Sequence, residues 1–318
     1  MDRAENVVVA AKETCVDYAQ TAALGTAAFD NPRIQLDGEH LKWFYEKSFS
    51  QGSTVIALRA DGQKVGQIAM VRQTVMIAGK KQAAAQLVDL FIEKKYRGRR
   101  ALAFLYAEVE QQFLAQEIRF AFGMPNARAV GVNEHFFQLK EYLALQVRVG
   151  VSLPIKTSNL KKSFRFSAQT RSDVVELGNQ FATSDVENGL KWEGDRLFNR
   201  LCGKNFEYAL HASENLLLIS SPRHRRNMPF TLLCGFFCRQ NTPVTAKDID
   251  AVTRSACSTW GRPLFIYAGH HLAMPFLPGI PVAKKLRHSP MILQVRDFTP
   301  DVSAFQMDRF QSIDWDFA

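Results

Sequence analysis

No apolar run in this 318-residue chain approaches the roughly 18–20 residues needed to cross a bilayer. The longest, such as Leu216–Ile219 and Thr231–Cys238, are strand-sized. The opening residues Met1-Asp2-Arg3-Ala4-Glu5-Asn6 carry both signs of charge and no signal-peptide core, so a cytoplasmic protein without a transmembrane segment is expected. Cysteine is scarce: five, an odd number without framework spacing, which argues against a disulfide scaffold. Cys234 and Cys238 lie four apart in one apolar stretch and read as buried thiols. Neither they nor the pair His270-His271 has a further ligand at tight spacing, so no metal is expected. No Ser-His-Asp or Cys-His arrangement is in view, and no aromatic-interleaved basic stripe or nucleic-acid motif is found.

What is present is ample core material: 47% apolar residues, 24 phenylalanines and enough length for two domains. Net charge is +9, clustered at Lys94–Arg100, Lys156–Arg165, Arg223–Arg226 and Lys284–His288. Each cluster is short and reads first as solvated surface, with an acidic partner protein as the sharper alternative. Nucleic acid is not expected as a partner.

Hydrophobic spacing predicts a helix over Val7 to Ala28 with Gly25 as its stop, and a second over Asp37 to Phe49. Strands follow at Ser53–Arg59 and Lys64–Ile77, joined by the hairpin signal Asp61-Gly62, and at Ala84–Ile92 after the turn Ala78-Gly79. A helix from Arg99 to about Gln116 carries Leu102, Leu105, Tyr106, Val109 and Phe113 on one stripe. A strand at Glu117–Gly123, a helix from Asn126 to about Tyr142 and a strand at Leu145–Val151 complete residues 1–151. Weakly patterned residues 152–163 read as a linker. Residues 164–318 repeat a similar order, including a strand at Phe230–Arg239, a helix at Thr245–Trp260, a strand at Leu264–Ala268 and a final strand at Met291–Val295.

The densest chemical signal is Asp89-Leu90-Phe91-Ile92-Glu93-Lys94-Lys95-Tyr96-Arg97-Gly98-Arg99-Arg100-Ala101-Leu102. An apolar strand runs into a basic turn and a helix opens at once. Unpaired N–H groups and the positive dipole end at a helix start make an anion site. This stretch resembles the acyl-coenzyme A binding segment of the GNAT superfamily of N-acyltransferases, which often reads Tyr-Arg-Gly-Lys-Gly-x-Gly. Tyr96, Arg97, Gly98 and the basic Arg99 match; Arg100 and Leu102 stand where small residues are usual, so their side chains must point away. Phe120-Ala121-Phe122-Gly123-Met124-Pro125-Asn126 resembles the strand ending in Gly-Phe-Pro-Asn of several two-domain members.

The resemblance implies an α/β (α+β) fold of tandem GNAT-like domains, each a mixed, largely antiparallel sheet flanked by helices. It implies an N-acyltransferase using acetyl-CoA or a longer acyl-CoA, without metal, on a primary amine of a small molecule. An acyl carrier protein is a further partner suggested by the basic turn. The alternative is a non-catalytic, degenerate binding or regulatory protein. Main-chain bonds from Phe91 and Ile92 would hold pantetheine, and the turn Arg97, Gly98, Arg99, Arg100, Ala101 and Leu102 the diphosphate. Asn126 would bond pantetheine or cap its helix. Asp89, a carboxylate inside an apolar strand, is the candidate general base. Where many members place a tyrosine near the thiol this chain has Asn133, leaving His135 and Tyr142 as candidate acids. The second half, whose turn Arg239-Gln240-Asn241-Thr242-Pro243 has no glycine or arginine cluster, is expected to be non-catalytic and to shape the acceptor site.

Overall fold

The structure is a computed structural model that describes residues 8–29, 35–153, 159–182, 187–225, 227–240, 242–287, 289–299 and 305–315. Residues 154–158 of the expected linker, the opening six residues, Arg226, His288, Asp316 and Phe317 lie outside these. Along the chain the elements begin with β1 (Val8–Lys12), α1 (Tyr18–Phe29), α2 (Gly38–Glu46), β2 (Ser53–Ala60), β3 (Gln63–Ile77) and β4 (Lys80–Ile92). Next come α3 (Arg99–Ala115), β5 (Phe120–Gly123), α4 (Ala127–Phe137), β6 (Lys140–Ala144), β7 (Gln146–Val151) and β8 (Lys162–Arg165). Then follow α5 (Arg171–Leu177), β9 (Gly189–Leu190), α6 (Gly194–Leu201), β10 (Ala209–Ala212), β11 (Leu216–Arg225) and β12 (Met228–Cys238). The remainder is α7 (Ala246–Trp260), β13 (Leu264–His271), β14 (Ile280–Pro281), β15 (Ile292–Asp297) and β16 (Arg309–Gln311). Among the described residues no helix is long and apolar enough to cross a membrane.

Two compact units result. The first comprises Met1–Gln73, Gln82–Tyr142 and Leu293–Asp301; the second comprises Thr74–Lys81, Leu143–Ile292 and Val302–Ala318. The division expected at residues 152–163 therefore differs in two strands and in Thr74–Lys81, which falls in the second unit. β7, read as closing the first half, pairs with β13 in the second unit, and β15 pairs antiparallel with β5 in the first. Periodicity marks a strand but not its partner, so the exchange has no local signal.

In the first unit the strand order is β1-β2-β3-β4-β5-β15, with β4 and β5 parallel. The hairpin between β2 and β3 turns through Asp61 and Gly62, both at positive φ (50° and 79°), the geometry an Asp-Gly turn favours. α3 lays Leu105, Tyr106, Val109 and Phe113, all buried, on Ile56, Leu58, Ile68 and Met70 of the sheet. Each such side chain contributes about 1.5–3 kcal/mol on leaving water. Leu102, at the end of this stripe, is only half-buried.

Three local expectations are corrected. Val8–Lys12 is a strand, not the start of a helix, because β-branched Val8 and Val9 pair in register with Ala60 and Arg59. Gly25 is not a stop; it lies inside α1, where a Cβ would sit 3.1 Å from the Phe91 ring. The helix after Asn126 ends at Phe137, where Gln138 turns left-handed (φ 56°), so Tyr142 belongs to strand β6 rather than to α4.

The second unit orders its strands β9-β16-β13-β12-β11-β10-β8, with β7 also on β13 and β14 on β7. α7 covers this sheet through Ile249, Val252, Ala256 and Cys257, packed on Leu216, Leu218, Leu233 and Phe236. Helix α6, which the sequence pattern did not show, and β16 beyond the expected last strand complete the unit.

Candidate active site

In each unit one parallel strand pair parts after three residues. β4 and β5 are paired only over Ala84–Gln86 and Phe120–Phe122, and β12 and β13 only over Thr231–Leu233 and Phe265–Tyr267. Beyond these points the strands diverge, and what happens next distinguishes the units.

In the second unit the gap is filled by the chain itself. β16 pairs with β13 at Gly269–His271, and the Gln311 amide bonds the Phe236 main chain in both directions, at 2.8 and 2.9 Å. α7, which follows β12 as α3 follows β4, is closed by its own capping box. The Asp248 carboxylate accepts from the Thr245 hydroxyl (2.7 Å) and amide (3.0 Å), while the Asp248 amide donates to Thr245 Oγ1. Burial pushes the Asp248 carboxyl upward, but hydrogen bonds from Thr245, Ser213 and Asn215 together hold it below the usual range. A carboxylate already occupies the position an anion would take.

The first unit has neither closure. Among the described residues no strand takes the place of β5 beyond Gln86, although β4 runs on through Leu87 to Ile92. No side chain caps α3 at its N-cap Gly98; an added Cβ there would meet nothing within 4 Å. The backbone of Gly98 is extended (φ 165°), so the residue leaves space rather than relieving strain. Arg99 is exposed and paired with no carboxylate among the described residues, and Arg100 lies back along the helix, its guanidinium 5.6 Å from the Phe104 ring. Ala101 is buried and Leu102 packs partly into the core. The bulky residues at 100 and 102 thus leave the helix start open to an anion.

Arg97 does not present its side chain there. Its Nε donates to Ile92 O at 2.9 Å and its Nη2 to Ala28 O, tying the end of α1 to the end of β4. Charged donors to backbone carbonyls are worth about 1.5–3 kcal/mol each. Arg97→Ala is accordingly expected to lower Tm by several degrees, with its loss of donor binding following from a loosened β4; thermal melts alongside calorimetric titration measure both.

Asp89 sits where β4 leaves its partner. It alone within β4 has positive φ (50°), a bulge that turns its side chain out of the strand alternation. Aspartate tolerates this left-handed region better than branched residues. Tyr45 of α2 donates to Asp89 Oδ2 at 2.7 Å, and Gln67 Nε2 of β3 donates to the Tyr45 hydroxyl at 3.0 Å. Burial raises the Asp89 carboxyl above its ordinary range, and the Tyr45 hydrogen bond opposes this without cancelling it. The residue is half-exposed while its carboxyl is closely surrounded, so the raised value follows the carboxyl's own environment. Tyr45 is itself held well above the ordinary phenol value, first by burial and then by Asp89, and stays a donor. Tyr45 and Gln67 were not expected. Tyr45 is hidden in the aromatic run Trp43-Phe44-Tyr45, and the one available signal is a buried glutamine within an apolar strand.

The α4 residues are spread apart. Asn126 caps the helix, accepting from Arg128 and Ala129 amides at 3.0 and 3.1 Å. Asn133 is buried and committed: it accepts from the Tyr106 hydroxyl (2.6 Å) and donates to Gln294 Oε1 of β15 (3.0 Å). His135 is exposed, edge-on to the Phe136 ring at 4.7 Å, and Tyr142 is 38% exposed on β6. Asp89, Phe91, Ile92 and the α3 start are thus brought along one strand and its turn. His135 and Tyr142 lie on separate elements, and no hydrogen bond links either to Asp89 among the described residues. No group of three or more potential metal-ligating side chains occurs among the described residues.

A parted parallel strand pair beside an open helix start leaves main-chain groups and the positive end of a helix exposed together. Residues 12–134 match the family described as the acetyltransferase (GNAT) domain. Solved structures share the fold at low identity. A conserved protein of Enterococcus faecalis aligns at TM-score 0.63 and 12% identity over 92% of this chain and 73% of the other. A GCN5-related N-acetyltransferase of Kribbella flavida aligns at 0.61 and 11%, over 93% and 72%. The N-myristoyltransferase of Saccharomyces cerevisiae with bound myristoyl-CoA aligns at 0.58 and 10%, over 92% and 84%. No curated protein sequence matched. The fold is therefore a tandem of GNAT-like units, each a mixed, largely antiparallel sheet with flanking helices.

Proposed function

We propose that the chain is an N-acyltransferase that moves an acyl group from acyl-CoA directly to a primary amine of a small molecule. The observation that carries this is the parting of β4 from β5 after Gln86, with Asp89 on the bulge and the uncapped α3 start seven residues beyond Ile92. Phe91 and Ile92, the carbonyl of Ile92 already accepting from Arg97, would bond a pantetheine arm through their remaining main-chain groups. The amides of residues 99–101 would bond its diphosphate, the Leu102 amide being bonded to Gly98 O, with Arg99 alongside. That the similar yeast fold binds myristoyl-CoA supports acetyl-CoA or a longer acyl-CoA as donor.

In this reading Asp89 takes a proton from the acceptor's ammonium. The freed amine forms a C–N bond to the thioester carbon, the C–S bond breaks, and coenzyme A leaves as a thiolate. The second proton on the new amide nitrogen returns to the residue that protonates the thiolate. A carboxyl raised by burial is suited to a general base. The proton for the thiolate is assigned to His135 or Tyr142; a tenfold loss of kcat in His135→Ala or Tyr142→Phe identifies which. The second unit we read as non-catalytic, because Gln311 and Asp248 occupy the positions that stay open in the first.

A second reading, a degenerate binding or regulatory protein, draws on Asn133, whose amide is spent on Tyr106 and Gln294 where other members place a tyrosine. Thiol release from a panel of acyl-CoA donors, and from acyl carrier protein as the donor suggested by the basic turn Lys94–Arg100, separates the two. Release that rises with an added primary amine supports transfer. Stoichiometric acyl-CoA binding without release under any amine supports the second reading.

A further inference from the structure

We infer that Tyr45 of α2, locked by Gln67 of β3, is a positioning residue that fixes Asp89 with one oxygen held and the other free to receive a proton. This rests on the reading of Asp89 as base and adds two residues from outside the donor-binding segment. A phenol hydroxyl has one hydrogen to give. Gln67 Nε2 donates to the Tyr45 oxygen at 3.0 Å, which leaves that single hydrogen for Asp89 Oδ2 at 2.7 Å. The direction of the chain is set at the Asp89 end, because an ionised carboxylate can only accept, so the Tyr45 hydroxyl turns its hydrogen to it and receives from Gln67 Nε2. Asp89 Oδ1 has no hydrogen-bond partner among the described residues, so the carboxyl is rotationally fixed with one face uncommitted.

The surroundings leave this chain as the main control on the carboxyl. Tyr45 and Gln67 are essentially fully buried. Behind Tyr45 the titratable groups are Tyr18 of α1, its ring 6.1 Å from that of Tyr45, and Glu46, which accepts from the Tyr18 hydroxyl at 3.1 Å. Neither contributes a cation, and no cationic group acts on Asp89 among the described residues. The Tyr45 hydrogen bond is then the one polar interaction that favours the ionised form against burial.

The test reads the Asp89 carboxyl by 13C NMR, its signal assigned with Asp89→Asn, in the full chain without any acyl donor. Tyr45→Phe keeps the ring and removes the hydrogen, and should move the Asp89 titration to higher pH by at least half a unit. Gln67→Glu should act the same way from one residue further off, since an ionised glutamate accepts the Tyr45 hydrogen and takes it from Asp89. Gln67→Met is the neutral companion if the buried glutamate prevents folding; there the Tyr45 hydrogen is free to choose and the shift is smaller. In turnover assays the acidic limb of kcat/KM should move upward in step with the titration, while KM for acyl-CoA stays within two-fold. An Asp89 titration unchanged in Tyr45→Phe and both Gln67 variants overturns the inference. Shifted titrations with an active Asp89→Asn enzyme leave the hydrogen-bond chain standing and overturn only its part in catalysis.

Discussion

Asp89→Asn is expected to lower kcat/KM for acyl transfer by about a hundred- to ten-thousand-fold, the range that removal of a general base produces. Asparagine keeps the size of the side chain, tolerates the left-handed backbone at this bulge and can still accept from Tyr45. The dissociation constant for acyl-CoA should therefore change by less than about three-fold, so steady-state kinetics and calorimetry together isolate the lost proton transfer. The same substitution should make the fold more stable at pH 8. A carboxyl raised by burial contributes most below its unfolded-state value and loses that contribution as pH climbs through the raised folded-state value. Asparagine carries no such titration. The difference in Tm between variant and parent should be near zero around pH 4 and positive at pH 8. Equal melting curves across that range would mean the carboxyl is not destabilised by its surroundings.

Gly98→Trp should abolish acyl-CoA binding, raising its dissociation constant at least about a hundredfold, while leaving Tm within two degrees. The two halves of this expectation have separate causes. A Cβ at position 98 meets no protein atom within 4 Å and the extended backbone accepts any residue, so the fold has little to lose. The vacant volume lies directly before the α3 amides, and an indole there covers the donors a diphosphate would use. Loss of about 2.7 kcal/mol of binding corresponds to that hundredfold change. An unchanged affinity, measured by titration calorimetry with coenzyme A, would remove the diphosphate from this corner.

The strand, turn and helix start of the candidate site were legible in the linear sequence because they are local. A strand, a basic Tyr-Arg-Gly turn and a helix lie within about twenty residues, and their geometry follows from backbone rules that act over that span. The α3 stripe of Leu105, Tyr106, Val109 and Phe113 was legible for the same reason. What sequence reading missed depends on partners far along the chain. Tyr45 gains its role only when α2 meets β4, and Asn133 only when β15 delivers Gln294. The exchange of β7 and β15 between units is likewise a matter of pairing, and Gln311 closes the second gap from 75 residues beyond Phe236. Arg97 shows the limit within the motif itself: it reads as part of a turn around the diphosphate, yet two backbone carbonyls, at the ends of β4 and α1, claim the guanidinium.

A crystal structure with acetyl-CoA tests the central claim most directly. The diphosphate should lie on the amides opening α3 and the pantetheine against Phe91 and Ile92, with the thioester beside Asp89 and the gap in the second unit still filled by Gln311. Coenzyme A bound anywhere else, or density absent from that corner at saturating ligand, would contradict it.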